Sequence, residues 1–228
     1  QTCMGLVASN MTEFGMAIGA DTAQGKPNDA LEFSAGSGAA AFIIGKQHVI
    51  AEILDTVSYT TDTPSFWRRQ HSHYPMHAGR FTAEPAYFKH VKAATNSLLE
   101  KTGEKLDDFD YVVFHQPNGK FPLKVASELG IPKEKILPGL ITPLIGNTYS
   151  GSAMIGLASV LDQAKPGDKI LVTSYGSGDG SDSFSIKVTN EIEKPGRRPK
   201  TSVIKSTEEK IYIDYGLYVK HRKKIMQE

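Results

Sequence analysis

The sequence holds a single cysteine, Cys3, among its 228 residues. That excludes an internal disulfide framework and any multi-cysteine metal site, and it suits a reducing, cytoplasmic setting. An excess of one charge is also missing. Lys and Arg number 26 against 25 Asp and Glu, a formal net of +1, so neither a nucleic-acid binder nor a membrane-surface binder is indicated. No apolar run approaches the length of a membrane span, and no signal peptide is expected. A helix lead-in is lacking too. Residues 1–10 are helix-like, yet Gln1 is neither an initiator methionine nor one of the usual capping types. The expectation is a fragment that begins partway through a buried helix.

What is present is ordinary for a globular chain: 39% hydrophobic and 22% charged residues, enough for one large domain or two small ones. Charge is uneven, because residues 190–228 carry ten Lys/Arg and six Asp/Glu, a net of +4, which leaves −3 for residues 1–189. Strands are predicted over 14–22 (buried, with small residues against close neighbours), 48–59, 111–114, 169–175 and 183–188. A glycine-rich stretch, 34–45, enters a further strand and lacks both phosphate-loop spacings. Helices are predicted over 84–102, where Pro85 suits the first turn and Gly103 the stop, and over 121–129, closed by Gly130. After a turn, a third helix within 145–161 has small or apolar residues on nearly every side, which marks it as buried between layers. Residues 131–142 read as a Pro-punctuated loop, 193–206 as polar and extended, and 212–218 as a tail with three tyrosines ahead of a basic run, 220–224. Alternating elements with glycines at strand ends point to a layered α/β domain.

The chain is organised around residues 110–120. Tyr111 to Phe114 form a short apolar strand, His115 stands at its tip, and Pro117, Asn118 and Gly119 turn the chain. A histidine so placed, with Lys120 just past the turn, suits proton handling beside an anionic ligand. A structural histidine bonded to backbone fits the same pattern, and both readings stand. Asn147 sits in a glycine-flanked turn, and the 176–180 segment offers backbone N–H groups to an oxyanion. The His71, His73 and His77 spacing invites a metal reading, which the absence of a local cysteine or a firm strand–helix frame outweighs.

Three motifs together carry a resemblance: Phe114-His115-Gln116-Pro117 with Lys120, Gly146-Asn147 with Tyr149 and Ser152, and Ser174-Tyr175-Gly176-Ser177-Gly178. They resemble the hydroxymethylglutaryl-CoA (HMG-CoA) synthases of the thiolase superfamily, archaeal type. Phe66 to Arg69, Gly79 to Phe81, Pro85 to Phe88 and the Tyr212 to Arg222 tail extend the resemblance along the whole chain. It implies two similar halves in an α-β-α-β-α sandwich, here the end of the N-terminal half (1–58), the C-terminal half (59–189) and a basic, tyrosine-rich extension (190–228). It implies condensation of acetyl-CoA with acetoacetyl-CoA, with CoA thioesters as substrates, no further cofactor and no metal.

Residue by residue, the resemblance gives His115 and Asn147 catalytic places and Ser34, Thr82, Ser177 and Gly178 places around the acyl group. Arg80, Lys120 and Lys124 match CoA-contacting positions. It also implies a homodimer associated with acetoacetyl-CoA thiolase and a zinc-ribbon/OB-fold bridging protein. In the family the reactive cysteine starts the buried helix, whereas Cys3 lies too close to the next strand for that start. The nucleophile and the glutamate base are therefore expected upstream of Gln1. Ser65 is a smaller departure, since related sequences often carry aspartate there. Two further readings remain: a ketoacyl synthase III-like condensing enzyme, and a non-catalytic assembly subunit whose tail docks a partner or packs on its own domain.

Overall fold

The computed structural model describes residues 1–22 and 24–223; Lys224 of the basic run and the last four residues of the expected extension lie outside the described residues. The chain opens with α1 (Thr2–Ala8), β1 (Gly15–Thr22), the short α2 (Ala30–Ser34), β2 (Ser37–Ile44) and β3 (Ala51–Thr60). Two-residue strands β4 (Phe66–Trp67) and β5 (Met76–His77) pair antiparallel ahead of a π-helical turn, Ala83–Phe88, that runs into α3 (Lys89–Thr102). The predicted helix 84–102 thus begins one residue early and in a wider winding. Gly103 ends it at φ +73, a left-handed cap that glycine adopts without steric cost.

Then follow β6 (Tyr111–Phe114), α4 (Phe121–Glu128), α5 (Lys133–Ile136), α6 (Thr142–Ile145), α7 (Ser152–Leu161), β7 (Lys169–Thr173) and β8 (Gly180–Val188). The predicted loop 131–142 is therefore partly helical: α5 starts right after Pro132, whose fixed φ suits a helix entry. Beyond β8 come α8 (Val203–Ser206) and α9 (Tyr215–His221), so the tail is not wholly extended. No helix among the described residues is long and apolar enough to cross a membrane.

Four strands form one sheet in the order β3-β8-β7-β6, with β6 and β7 parallel and the other pairs antiparallel. β3 belongs wholly to this sheet, so it straddles the 58/59 boundary expected between halves. Alternation along β6 splits the core. Val112 and Phe114 pack with Tyr87, Phe88, Val91 and Leu98 on the α3 side, while Val113 packs with Ala153 and Val160 of α7. α7 also meets β2, so it lies between the four-stranded sheet and the β1-β2 ribbon. The layers run α3, sheet, α7, ribbon: four of the five expected.

Small residues make this stacking possible. A Cβ on Gly156 would lie 2.8 Å from the Gly139 carbonyl oxygen and 2.7 Å from Gln116 Nε2, so α7 can approach its neighbours only as glycine there. On the outer side β1 departs from the expected buried strand. Met16 is 58% exposed and Ile18 63%, because nothing among the described residues covers that face. α1 is likewise mostly exposed, with Val7 its one buried residue.

The extension is tied to α7. Arg198 donates from Nη1 to the Leu161 carbonyl and from Nη2 to that of Ala164, both at 2.6 Å, and Val203 N–H donates to Asp162 Oδ2 at 2.6 Å. The two Arg198 bonds satisfy carbonyls that a helix end leaves without partners. Arg198→Ala is expected to lower stability by about 1–2 kcal/mol in urea unfolding, the range for charge-assisted hydrogen bonds that stay partly hydrated. An unchanged midpoint would show the extension to be loosely held.

Candidate active site

His115 directly follows β6, and its N–H extends the pairing to the Thr173 carbonyl at 2.9 Å. Its own carbonyl accepts from the buried Tyr87 hydroxyl at 2.6 Å. Both backbone groups are committed, so the ring leaves the sheet at a fixed point. Neither ring nitrogen has a hydrogen-bond partner among the described residues, and the ring lies beside Tyr175 (centroids 5.9 Å apart) and Tyr87 (6.3 Å). Burial without a polar partner disfavours the imidazolium and pulls the His115 pKa down to about 4. At neutral pH the side chain is a neutral imidazole, with one N–H donor and one lone pair.

Gln116 holds the other side of this point. Its Oε1 accepts from the N–H groups of Ile141 (2.8 Å) and Thr142 (3.0 Å), its Nε2 donates to the Gly139 carbonyl, and its N–H donates to Ser152 Oγ at the start of α7. One buried amide therefore satisfies three backbone groups that no helix or sheet bond reaches.

Asn147 is placed by a short parallel bridge. Its N–H donates to the Ser34 carbonyl and its carbonyl accepts from Gly36 N–H, each at 2.7 Å. Only glycine fits at 36, where a Cβ would lie 2.1 Å from the Ile145 carbonyl oxygen. Asn147 Oδ1 accepts from Tyr149 N–H at 2.8 Å, which leaves Nδ2 as the amide's uncommitted donor. Tyr149, at φ +46, tilts its ring against Phe66. Burial, and then the charges of Asp21 and Asp29, push its phenol up to about 12.

His115, Asn147, Ser34, Thr82 and Ser177 line one cavity of about 490 Å³. The structure thus brings together five of the nine site residues named from sequence. Gly178, Arg80, Lys120 and Lys124 are outside the lining. The Lys124 ammonium sits 2.5 Å from Glu84 Oε1 and 4.4 Å from the Phe88 ring centroid, so it is already engaged. The glycine turn differs from the expected open cradle. Gly176 and Gly180 bond each other, Asp179 N–H donates to Thr61, and Gly178 N–H donates to Asp179 Oδ1 at 3.1 Å. Ser177 N–H alone in that turn has no partner among the described residues.

Among the wall residues that sequence reasoning did not assign to the site are His77, Tyr175 and Ser65. His77 stood in a loop that reads as solvated; its Nδ1 accepts from Gly79 N–H at 3.1 Å, and its Nε2 is 3.6 Å from Asp29 Oδ1. No group of three or more His, Cys, Asp or Glu among the described residues is arranged to hold a metal. Neither cysteine nor glutamate lines the cavity, and Cys3 packs elsewhere, against Gly15 of β1. The lining can bind and polarise a carbonyl; among the described residues it holds no cysteine to be acylated.

Comparison with known proteins finds relatives along nearly the whole chain. Residues 99–188 match the family described as 3-oxoacyl-[acyl-carrier-protein] synthase III C terminal. Over 227 residues the chain is 56% identical to a hydroxymethylglutaryl-CoA synthase of Methanococcoides burtonii, covering 99% of this chain and 65% of the relative. The corresponding Thermococcus onnurineus enzyme is 59% identical over 227 residues, covering 98% and 64%. The chain therefore spans less than two thirds of the length of these curated relatives. The crystal structure of an HMG-CoA synthase complexed with CoA superposes with a TM-score of 0.76 at 24% identity, covering 94% of this chain and 62% of that one. At that identity the likeness is one of fold, a thiolase-like layered sandwich.

Proposed function

The chain is a homologue of the hydroxymethylglutaryl-CoA synthases along nearly its whole length, and from that premise we propose that it forms the acetoacetyl-CoA-accepting part of such an enzyme. The reaction is condensation of acetyl-CoA with acetoacetyl-CoA and water to 3-hydroxy-3-methylglutaryl-CoA, with one CoA released and the enzyme thioester hydrolysed, in the mevalonate route to isoprenoids. One observation carries the reading: a buried neutral histidine and an uncommitted asparagine amide share one cavity.

An acetoacetyl ketone in that cavity accepts hydrogen bonds from the His115 N–H and from Asn147 Nδ2. Carbon–carbon bond formation turns the ketone oxygen into an alkoxide, and the same donors then stabilise the charge that develops there. A neutral imidazole suits this role, because its proton remains available at neutral pH instead of being lost from an imidazolium of low pKa. In this reading the Ser177 N–H, free of other partners among the described residues, holds a thioester oxygen. CoA phosphates leave the cavity toward Lys120, Lys124 and Arg80, with Lys124 exchanging Glu84 for phosphate. The acylated cysteine and the glutamate that removes the methyl proton come from outside the described residues. The substrates are CoA thioesters, with no further cofactor. We place the working enzyme in the cytoplasm as a homodimer, joined to acetoacetyl-CoA thiolase and a zinc-ribbon/OB-fold bridging protein.

Acetyl-CoA is expected to leave no acetyl group on this chain by intact mass, while acetoacetyl-CoA binds and His115→Ala weakens that binding about 10-fold, the worth of one buried hydrogen bond. A stable acetyl-Cys3 adduct would refute the division of labour. The match of residues 99–188 supports a second reading, a ketoacyl synthase III-like enzyme. Preference for an acyl-carrier-protein substrate over acetoacetyl-CoA would select it.

A further inference from the structure

Asp179 lies at the entry to β8 and is fully buried, yet the chemistry above does not use it. Its Oδ1 accepts from Ser65 Oγ (2.9 Å), Tyr175 Oη (2.8 Å) and Gly178 N–H (3.1 Å). Its Oδ2 is buried with no hydrogen-bond partner among the described residues. Its backbone exchanges two bonds with Thr61, at 3.1 and 3.2 Å. Thr61 Oγ1 in turn contacts Nε2 of the buried His90 at 2.8 Å. Among the described residues no Lys or Arg pairs with the Asp179 carboxyl group.

A buried acid with one orphaned oxygen and no cation is costly for stability. Packing alone would be served as well by asparagine, which keeps the shape and can still accept at Oδ1. The hydrogen-bond pattern shows what the acid does that the amide does less well. Ser65 Oγ and Tyr175 Oη also lie 2.9 Å from each other, which closes a triangle with Asp179 Oδ1. The triangle has three sides and two hydroxyl protons. A carboxylate is the strongest acceptor of the three and draws both protons to itself. Ser65 and Tyr175, both in the cavity wall, then turn lone pairs to a ligand. The same bond fixes the Tyr175 ring beside His115, 5.9 Å away.

We propose that Asp179 is a positioning residue of this cavity: it makes Ser65 and Tyr175 hydrogen-bond acceptors toward an N–H or O–H donor of the bound thioester, and it fixes the ring that flanks His115. The donor-and-acceptor polarity belongs to the cavity itself; its use by acetoacetyl-CoA rests on the proposed function. The wall then offers donors from Asn147 and Ser177 and acceptors from Ser65 and Tyr175, which suits a thioester whose carbonyls are followed by pantetheine amides.

The test uses the whole chain carrying 3-fluorotyrosine, with the Tyr175 ¹⁹F resonance assigned by its loss in Tyr175→Phe. In Asp179→Asn the Tyr175 phenol is expected to titrate at lower pH than in the unaltered chain, and the Kd for acetoacetyl-CoA to rise about 10-fold with the melting temperature unchanged or higher. Tyr175→Phe is expected to weaken binding by a similar factor while leaving the carboxyl group in place, so a misfolded Asp179→Asn would not end the test. An unchanged Tyr175 titration, or an unchanged Kd in both variants, overturns the proposal. If the unaltered chain binds no acetoacetyl-CoA, the proposed function fails, while the ¹⁹F titration still decides whether Asp179 sets the polarity of the wall.

Discussion

Gln116→Ala is expected to remove about 4 kcal/mol of stability, a large share of what a domain of this size possesses. The loss has two sources. Truncation strips partners from the Gly139 carbonyl and from the N–H groups of Ile141 and Thr142, and each buried orphan costs roughly 1–3 kcal/mol, less what water recovers. It also leaves a cavity under α7, where the packing is tight. Urea unfolding followed by circular dichroism measures the change, and a loss below about 1 kcal/mol would show the segment 139–142 to be held by something else. Gln116→Glu separates shape from hydrogen bonding. A carboxylate still accepts from Ile141 and Thr142 but cannot donate to Gly139, so this variant is expected to lie between the other two at pH 7 and to gain stability as acid protonates it.

The second large effect is a pH dependence centred on His115. Its folded pKa is about 4, against an ordinary histidine value of 6.5, because burial disfavours the charged ring. Below pH 6.5 the unfolded chain takes up a proton that the folded chain refuses until about pH 4. Stability contributed at this position is therefore complete above pH 6.5, falls as pH drops through the interval, and levels off below about 4. The full difference is about 3 kcal/mol by the ordinary conversion between pKa and free energy. Carboxylates held low by lysines, such as Glu128 beside Lys92, also lose stability in acid. The informative quantity is accordingly the difference between the unaltered chain and His115→Gln. Unfolding midpoints at pH 7.0, 5.5 and 4.5 are expected to converge as pH falls, and parallel midpoints would place the His115 ring in water.

Much of the frame was readable from local signals. The four apolar residues that precede His115 form β6 over the predicted 111–114, and Gly103 and Gly130 end helices in the left-handed region, at φ +73 and +74. The small residues of α7 announced a helix packed on two sides. What could not be read depends on contacts far apart in sequence. Ser65 and Asp179 are 114 residues apart, and no periodicity links them. Gln116 stood out only as a motif residue between His115 and the turn, although its side chain replaces backbone pairing 23 to 26 residues away. Asp179 looked like one more residue of a glycine-rich turn, and the turn's N–H groups looked open because strand-end pairing to Thr61 is invisible without the fold. His77 was grouped with its neighbours by spacing, whereas the β4-β5 pairing selects it alone for the cavity. Charge at the basic residues signals an anion, but not which nearby carboxylate also reaches the ammonium, as Glu84 does at Lys124.

Gly156 shows how far the site's demands extend. It lies on α7, outside the cavity lining, yet Gln116 Nε2, Gly139 and Val113 crowd the space a side chain would need. A single methyl there would displace the amide that anchors the residue after His115. Drift at this helix position is thus closed off by chemistry one layer away. Enlarging residue 156 therefore requires Gln116, Gly139 or Val113 to give way in the same step.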